Sequence, residues 1–291
     1  MRIAFYKLLL GGLFTGSAAA QTSGDARLFD SDGVPIRYIR IGNGEPVLLI
    51  HGFGGRLEFW QETGVVAALI RGGFTVVAYD SRGHGESGKP YDPAGFRDNE
   101  VEDVRRLFDH LAIERAHVVG YSRGAQIAGR IVGRFPSRVR SLVMGGWAVN
   151  NPVETLSRAD CLKTAELLAQ GAFPAPLMRA LSPPDAPVPT ADEQAAAARQ
   201  FASENDVRAL AAAFRADCDV PPIALSALRD SRIPALAIVG ESDGMAAFVH
   251  AMGNGMGANL QVAVIPGANH FTAPAHPEFV ARLVSFLNGL D

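Results

Sequence analysis

Three polar residues are spaced along the chain in an order that could activate a hydroxyl group. Ser122 lies in the pentapeptide Gly-Tyr-Ser-Arg-Gly, between an apolar run and a segment of helical pattern. A serine hydroxyl is a poor nucleophile until a base takes its proton, and the base is in turn oriented by a third group. Asp243 and His270 each follow a later apolar run. Because ligands of open α/β folds bind at the carboxyl ends of the strands, this order predicts nucleophilic chemistry there.

The pentapeptide lies where a buried strand is predicted to become a buried helix. Gly120 and Gly124 leave room for the strand and the helix to cross closely, and the turn between them forces Ser122 into a strained backbone conformation. The backbone N–H of Arg123 then points from the helix N-terminus toward the same space, where partial positive charge favours an anion. The alternative is that Ser122 is an ordinary turn residue.

The acid and the base each have alternatives in the sequence. Glu241 could replace Asp243 as the acid, which would leave Asp243 as a helix N-cap. His250 and His276 compete with His270 as the base. His276 precedes a proline and fits the start of the last helix better.

Short apolar runs alternate with helical segments over most of the chain. Continuous apolar runs are typical of strands buried on both faces, and right-handed crossovers make such a sheet mostly parallel. We therefore predict the α/β class, with a doubly wound, mostly parallel sheet of about eight strands. Strands are expected within RLFDSDGVPIRYIRIG (a hairpin), EPVLLIHG, FTVVAYDSRG, AHVVGYS, VRSLVMGG, IPALAIVGESD and NLQVAVIPGANH, and helices at 57–70, 100–111, 123–135 and 277–287.

Residues 148–228 interrupt this alternation. They contain no convincing strand, and the segments FPAP, SPPDAPVP and DVPP break them into short helical pieces. We interpret them as a helical cap, or lid, inserted into a core of residues 27–147 and 229–291; a separate helical domain is the alternative. Cys161 and Cys218 both lie in the insertion and either form a disulfide or remain two buried thiols.

The first 20 residues have the pattern of a secretory signal peptide. Arg2 and Lys7 provide a positive start, an apolar run follows, and Ala18–Ala20 offers a cleavage site. The apolar run is too short to span a bilayer as a helix. We therefore expect residues 1–20 to be removed and the protein to be secreted or periplasmic. A buried N-terminal helix is the alternative.

Composition argues against several classes of partner. The formal net charge is -3 and 20% of residues are charged, so no basic surplus indicates nucleic acid. No later apolar stretch is long enough for a membrane span. No Cys/His cluster has zinc spacing, and no phosphate-binding glycine motif follows a strand, so we expect no metal and no cofactor. The expected partner is a small-molecule substrate.

Four segments in chain order resemble the α/β-hydrolase superfamily over roughly residues 27–290. They are HGFGG at 51–55, DSRGHGESG at 80–88, the pentapeptide around the serine, and the later acid and histidine. The resemblance implies that the backbone N–H groups of Phe53 and Arg123 form an oxyanion hole. It also implies a Ser-His-Asp catalytic triad. The histidines, Arg82 and Asp80 in the first two segments are expected mainly to shape loops.

The resemblance implies a serine hydrolase that cleaves a carboxylic ester or lactone through an acyl-enzyme. Lidded relatives with the same triad suggest one alternative, a hydrolase of C–C bonds in dienone-type acids. A ligand-binding protein on the same fold is another. Serine at position 122 argues against dehalogenase and epoxide-hydrolase relatives, which use aspartate there. The segment Gly244–Ala247 departs from the proline that often follows the acid in this superfamily.

Overall fold

An eight-stranded, mostly parallel sheet organises the protein. The computed structural model describes residues 24–172, 174–183 and 185–290, so the predicted signal peptide at 1–20 lies outside the described residues. The strands are β1 (Arg27–Ser31), β2 (Val34–Ile41), β3 (Pro46–Ile50), β4 (Thr75–Tyr79), β5 (Ala116–Tyr121), β6 (Val139–Gly145), β7 (Ala235–Gly240) and β8 (Leu260–Ile265).

The helices fall between these strands and in one long insertion. They are α1 (Glu58–Glu62), α2 (Val65–Arg71), α3 (Asp98–His110), α4 (Arg123–Arg134), α5 (Arg158–Ala169), α6 (Ala175–Leu181), α7 (Ala191–Glu204), α8 (Val207–Asp217), α9 (Leu225–Asp230), α10 (Ala246–Met256) and α11 (Pro277–Asn288). No helix within the described ranges is both long enough and apolar enough to cross a membrane.

The strand order is β1-β2-β4-β3-β5-β6-β7-β8. Strand β1 pairs with β2 as an antiparallel hairpin, β2 is antiparallel to β4, and the other neighbours are parallel. Asp32 (φ 60°) and Gly33 (φ 79°) make the hairpin turn, as their types predict. Every residue of β4, β5 and β7 is buried, which explains their continuous apolar sequences. The predicted fold class is confirmed.

Two apolar layers hold the sheet between helices. On one face α3, α4 and α10 contribute buried residues, among them Leu107 and Met252. On the other face α2 and α11 contribute residues such as Leu69 and Phe279. Each large apolar side chain buried in this way stabilises the fold by about 1.5–3 kcal/mol. Together these layers fix the carboxyl ends of the parallel strands as one rigid edge.

One predicted helix was wrong, and another helix was missed. The helix expected at 57–70 is two helices, because Gly64 adopts φ 77° between α1 and α2 and redirects the chain. Helix α10 was not predicted, because Gly253 and Gly255 give its segment a low helix propensity. Burial of Val249 and Met252 compensates for that low propensity.

The chain between β6 and β7 forms helices α5 to α9. Helix α5 packs against α8, and a disulfide between Cys161 and Cys218 joins them with a Cα–Cα distance of 5.5 Å. Of the two possibilities that the sequence left open for these cysteines, the structure has the disulfide. The insertion covers the carboxyl edge of the sheet, because its residues line a cavity there together with residues of the core.

Candidate active site

The turn between β5 and α4 presents Ser122 above the carboxyl edge of the sheet. Ser122 has φ 53° and ψ −122°, a conformation that L-residues rarely adopt. A Cβ at Gly120 would overlap the backbone of Gly124, and a Cβ at Gly124 would overlap the carbonyls of Ile50 and His51. Only glycine fits at both positions. Close crossing of strand and helix therefore holds the serine in its strained turn.

A chain of hydrogen bonds joins the three residues singled out from the sequence. The Ser122 hydroxyl lies 3.0 Å from His270 Nε2, and His270 Nδ1 donates to Asp243 Oδ2 at 2.9 Å. Asp243 and His270 are 2% and 4% exposed. The other carboxylate oxygen accepts the N–H of Met245 at 2.9 Å. With Nδ1 bonded to the carboxylate, Nε2 is free to accept the serine proton.

The alternative acid and bases lie elsewhere. Glu241 is exposed and accepts the N–H of Gly267 at 2.8 Å. His276 caps α11 by accepting the N–H of Glu278 at 3.2 Å, and His250 is exposed on α10. Glu241 and His276 thus have local roles apart from Ser122.

Two backbone N–H groups beside Ser122 find no acceptor among the described residues. They belong to Phe53 and Arg123, the positions expected to form an oxyanion hole. A Cβ at Gly52 would lie 3.3 Å from the Ser122 Cβ, so the loop that carries Phe53 runs directly against the serine. Arg123 begins α4, where the helix dipole adds partial positive charge. The arrangement can stabilise a negatively charged oxygen.

Tyr121 and Gly146 fix the imidazole and were not identified from the sequence. The Tyr121 hydroxyl donates to the His270 carbonyl at 2.6 Å, and burial raises the pKa of Tyr121 well above its usual value, which keeps this donor protonated. Gly146 has φ 58°, and a Cβ there would lie 3.1 Å from the imidazole ring. In the sequence, Tyr121 is only the variable residue of the pentapeptide before Ser122. Gly146 is marked only as the second glycine of a pair whose first member, Gly145, ends β6.

The histidines in the two loops are buried and structural. His51 Nδ1 donates to the Gly52 carbonyl at 2.7 Å, and its Nε2 accepts the N–H of Ser81 at 3.1 Å. His84 Nδ1 donates to the Arg82 carbonyl at 3.0 Å. Burial lowers the pKa of both imidazoles. Each is therefore a neutral ring that shapes a loop, as expected.

Asp80 and Arg82 also have structural partners. Asp80 accepts the N–H groups of Leu57 at 2.7 Å and Glu86 at 2.8 Å, which ties together the loops after β3 and β4. Arg82 forms a buried bidentate pair with Asp103 at 2.7 and 2.5 Å. Neither residue lines the cavity beside Ser122.

The side chain of Arg123 connects the core to the insertion, a role that the sequence did not indicate. It forms a bidentate pair with Glu100 at 2.6 and 3.0 Å and contacts Asp217 of α8 at 3.1 Å. Asp217 also contacts Arg130 at 3.1 Å. Burial alone would lower the pKa of Arg123, but the carboxylates of Asp217 and Glu100 outweigh it and raise the pKa. The residue after the serine is thus fixed from both sides.

Ser122 and His270 open onto a cavity of about 600 Å³. This volume is within the usual range for small-molecule sites. Its walls are mainly apolar and include Phe53 and Phe271 from the core and Leu177, Leu181, Phe201 and Phe214 from the insertion. No group of three or more His, Cys, Asp or Glu side chains in the described part of the chain is placed to hold a metal ion.

The sheet topology and the serine, histidine and aspartate at its carboxyl edge define a class of hydrolase. Residues 45–160 match the family model described as the alpha/beta hydrolase fold. A solved carboxylesterase structure of the Thaumarchaeon Nitrososphaera gargenis matches with a TM-score of 0.70 at 25% identity, covering 91% of this chain and 98% of that chain. The chain belongs to the α/β-hydrolase superfamily.

Curated relatives with different activities are similar to parts of the chain. The dihydrolipoyllysine-residue acetyltransferase component of the acetoin cleaving system of Cupriavidus necator is 37% identical over 156 residues, 48% of this chain and 39% of that protein. The 2-hydroxymuconate semialdehyde hydrolase of a Pseudomonas species is 37% identical over 113 residues, 38% of this chain and 40% of that protein. The chain spans less than half the length of the curated relatives it matches.

Proposed function

We propose that this protein is a serine esterase that hydrolyses a small-molecule carboxylic ester or lactone through an acyl-enzyme. One observation carries the proposal: Ser122, His270 and Asp243 form a continuous hydrogen-bonded chain at 3.0 and 2.9 Å at the wall of a mainly apolar cavity. A nucleophile, a base and a group that orients the base are the parts that acyl transfer requires.

In the first half-reaction Ser122 Oγ attacks the ester carbonyl carbon while its proton passes to His270 Nε2. The carbonyl π electrons move to the oxygen, which accepts hydrogen bonds from the N–H groups of Phe53 and Arg123. Losing one such donor typically raises the barrier by about 3 kcal/mol. Asp243 stabilises the imidazolium without taking its proton.

The intermediate then collapses. The bond to the leaving oxygen breaks, His270 gives its proton to that oxygen, and the acyl group remains esterified to Ser122. In the second half-reaction water attacks the same carbonyl and His270 accepts a proton from it. The acid is released as the proton returns to Ser122 Oγ.

The alternative, hydrolysis of a C–C bond, is supported by the similarity to the 2-hydroxymuconate semialdehyde hydrolase. The pairing of the arginines that line the cavity favours an uncharged ester instead. Dienone-type acids carry a carboxylate. The two arginines among the described residues that line the cavity are already paired: Arg123 with carboxylates of α3 and α8, and Arg56 with Glu58 and Glu62 at 3.4 Å. An uncharged ester needs no such partner.

Turnover of p-nitrophenyl acetate by the mature protein tests the proposal. Ser122→Ala, His270→Ala and their double variant are expected to fall to a similar low rate, because removing one member of a catalytic unit disables the others. If the double variant instead loses the product of the two single effects, the residues do not act together. A ligand-binding protein would give no turnover even with the native residues.

We further propose that the protein is exported. The pattern of residues 1–20 supports this, and so does the disulfide between Cys161 and Cys218, since such bonds persist in oxidising compartments. N-terminal sequencing of protein recovered from the periplasm or the medium should begin at Gln21. A chain that retains Met1 and stays in the cytoplasm would contradict export.

A further inference from the structure

The loop that carries Phe53 is poorly determined by its own sequence. Three of the four residues after His51 are glycines, Gly52, Gly54 and Gly55, and glycine leaves the backbone freer than any other residue does. One backbone hydrogen bond closes the loop, from the Gly55 N–H to the Gly52 carbonyl at 3.1 Å. A donor stabilises a developing oxyanion best when its direction is fixed before the reaction. Packing from outside the loop is therefore needed to hold the Phe53 N–H in place.

Two aromatic rings of the insertion pack against the side chain of Phe53. The ring of Phe201 from α7 is nearly parallel to the Phe53 ring, at 19°, with 6.2 Å between the ring centroids. The ring of Phe214 from α8 meets the same ring edge-on at 6.0 Å and 75°, a favoured geometry for aromatic pairs. The core contributes His84 at 5.8 Å. Two of the three ring contacts that Phe53 makes with described residues thus come from the insertion.

Phe201 also covers the backbone beside the donor. Gly54 follows Phe53 with φ 69°, and a Cβ on it would lie 2.5 Å from Phe201 Cε2 and 3.2 Å from Phe201 Cζ. The Phe201 ring therefore lies directly against the backbone of Gly54, and the residue is only 3% exposed. The side-chain amide of Asn205 fixes the end of α7 by donating to the Phe201 carbonyl at 3.1 Å. One side chain of the insertion thus contacts both the Phe53 ring and the residue after the donor.

Helix α8 anchors the insertion to the core. Phe96 of the core packs against alanines of α8, and Arg97 Nε donates to the Ala216 carbonyl at 3.0 Å. Asp217, at the end of α8, holds the side chain of Arg123 at 3.1 Å. Because Arg123 carries the second proposed oxyanion donor, the insertion contacts the residues of both donors.

We propose that Phe201 is a positioning residue for the oxyanion hole: its ring holds Phe53 and Gly54 so that the Phe53 N–H points at the carbonyl oxygen of the substrate. The insertion then contributes to the transition state as well as enclosing the substrate. The inference rests on the proposed esterase activity and on the proposed role of the Phe53 N–H. A side chain that only lines a cavity affects substrate and transition state alike, whereas a positioning residue affects the transition state more.

The kinetics of p-nitrophenyl butyrate hydrolysis separate these two roles. Removing an oxyanion donor typically lowers kcat by about 100- to 1,000-fold, and displacing one should cost part of that. We therefore expect Phe201→Ala to lower kcat by about tenfold or more and to change KM by about threefold or less. Leu177→Ala is the matched control, because Leu177 is also a buried side chain of the insertion that lines the cavity, on α6. That control should raise KM more than it lowers kcat.

A transition-state analogue tests the oxyanion hole directly. Ser122 Oγ adds to the carbonyl carbon of 1,1,1-trifluoropentan-2-one, its proton passes to His270 Nε2, and the carbonyl π electrons move to the oxygen, which becomes the oxyanion. Pentan-2-ol has the same carbon chain and forms no adduct. Phe201→Ala should raise the Ki of the ketone by about tenfold or more and the Ki of the alcohol by about threefold or less, because only the adduct uses the donor. Leu177→Ala should raise both Ki values by the same factor.

Phe201→Leu keeps the test decisive if circular dichroism shows that the alanine variant is unfolded. Leucine retains an apolar side chain but lacks the ring that lies against Phe53 and Gly54. In this variant the Ki of the ketone should rise at least about threefold more than the Ki of the alcohol.

The outcomes separate this inference from the esterase proposal. A native kcat in folded Phe201→Ala protein, or equal changes in the Ki values of the ketone and the alcohol, overturns the positioning role and leaves the esterase intact. If the native protein hydrolyses no ester, the esterase proposal fails, and calorimetric Kd values of the ketone and the alcohol decide the positioning role by the same comparison. If the ketone then binds the native protein no more tightly than the alcohol does, both proposals fail.

Discussion

Replacing both Cys161 and Cys218 by alanine removes the covalent link between α5 and α8. The two cysteines are 57 residues apart in sequence, so the bridge closes a long loop in the unfolded chain. In the chain-entropy model a loop of this length contributes about 4 kcal/mol to the free energy of unfolding, as an upper guide. Both residues also line the cavity, so the loss should reach the substrate site.

The link also supports the contacts around the nucleophile turn. Asp217 precedes Cys218 and holds Arg123 and Arg130 of α4 at 3.1 Å. When the bridge is removed, α8 is anchored to the core mainly by these ion pairs and by apolar contacts. We therefore expect the variant to show a higher KM for p-nitrophenyl butyrate, with a smaller change in kcat, because the cavity wall loosens before the sheet does.

Urea unfolding followed by circular dichroism measures the stability change. A loss of about 4 kcal/mol with a slope of about 3 kcal/mol/M lowers the midpoint by roughly 1 M. Dithiothreitol should lower the midpoint of the native protein toward that of the variant and leave the variant unchanged. The reasoning is refuted if the double variant has the native midpoint and the native KM.

Three further perturbations test other parts of the structure. Gly124→Ala should lower the free energy of unfolding by roughly 3 kcal/mol, because the new Cβ would overlap backbone carbonyls. Gly133→Ala, on the open face of the same helix, should instead raise it by roughly 0.5–1 kcal/mol. Equal effects of the two substitutions would contradict the close crossing of strand and helix. Burial lowers the pKa of His84 well below its usual value, so the unfolded state binds more protons than the folded state in acid. The free energy of unfolding therefore decreases as the pH falls below about 6.5. The decrease is at most about 1.4 kcal/mol per pH unit for each such histidine. His84→Gln should flatten that decline in acid unfolding curves, and the exposed His250→Gln should not. Asp243→Asn should lower kcat by about three to four orders of magnitude in ester hydrolysis, because the amide favours the wrong imidazole tautomer. A variant with native rates would show that another residue is the acid that orients the histidine.

The sequence was informative where local chemistry determines the conformation. Continuous apolar runs marked the buried strands, and the two glycines of the pentapeptide marked the close crossing at Ser122. Asp243 and His270 could be placed at one edge because the carboxyl ends of parallel strands meet there. The structure brings these three residues together, and their catalytic roles stay predictions until activity is measured.

Features that depend on distant contacts could not be predicted in the same way. The partners of Arg123 lie on α3 and α8, far away in sequence, so nothing local indicated its ion pairs. The hydrogen bond from Tyr121 to the His270 carbonyl depends on the assembled sheet. Helix α10 was missed because tertiary burial of residues such as Val249 overrides a glycine-rich local sequence.

Peptide mapping after treatment with a fluorophosphonate tests the central claim most directly. The reagent phosphonylates a serine that a neighbouring base has activated. The account predicts one adduct per chain, located on Ser122, that is absent from Ser122→Ala protein and strongly slowed in His270→Ala protein. An unlabelled native protein, or an adduct on another residue, would contradict the assignment of Ser122 as the nucleophile.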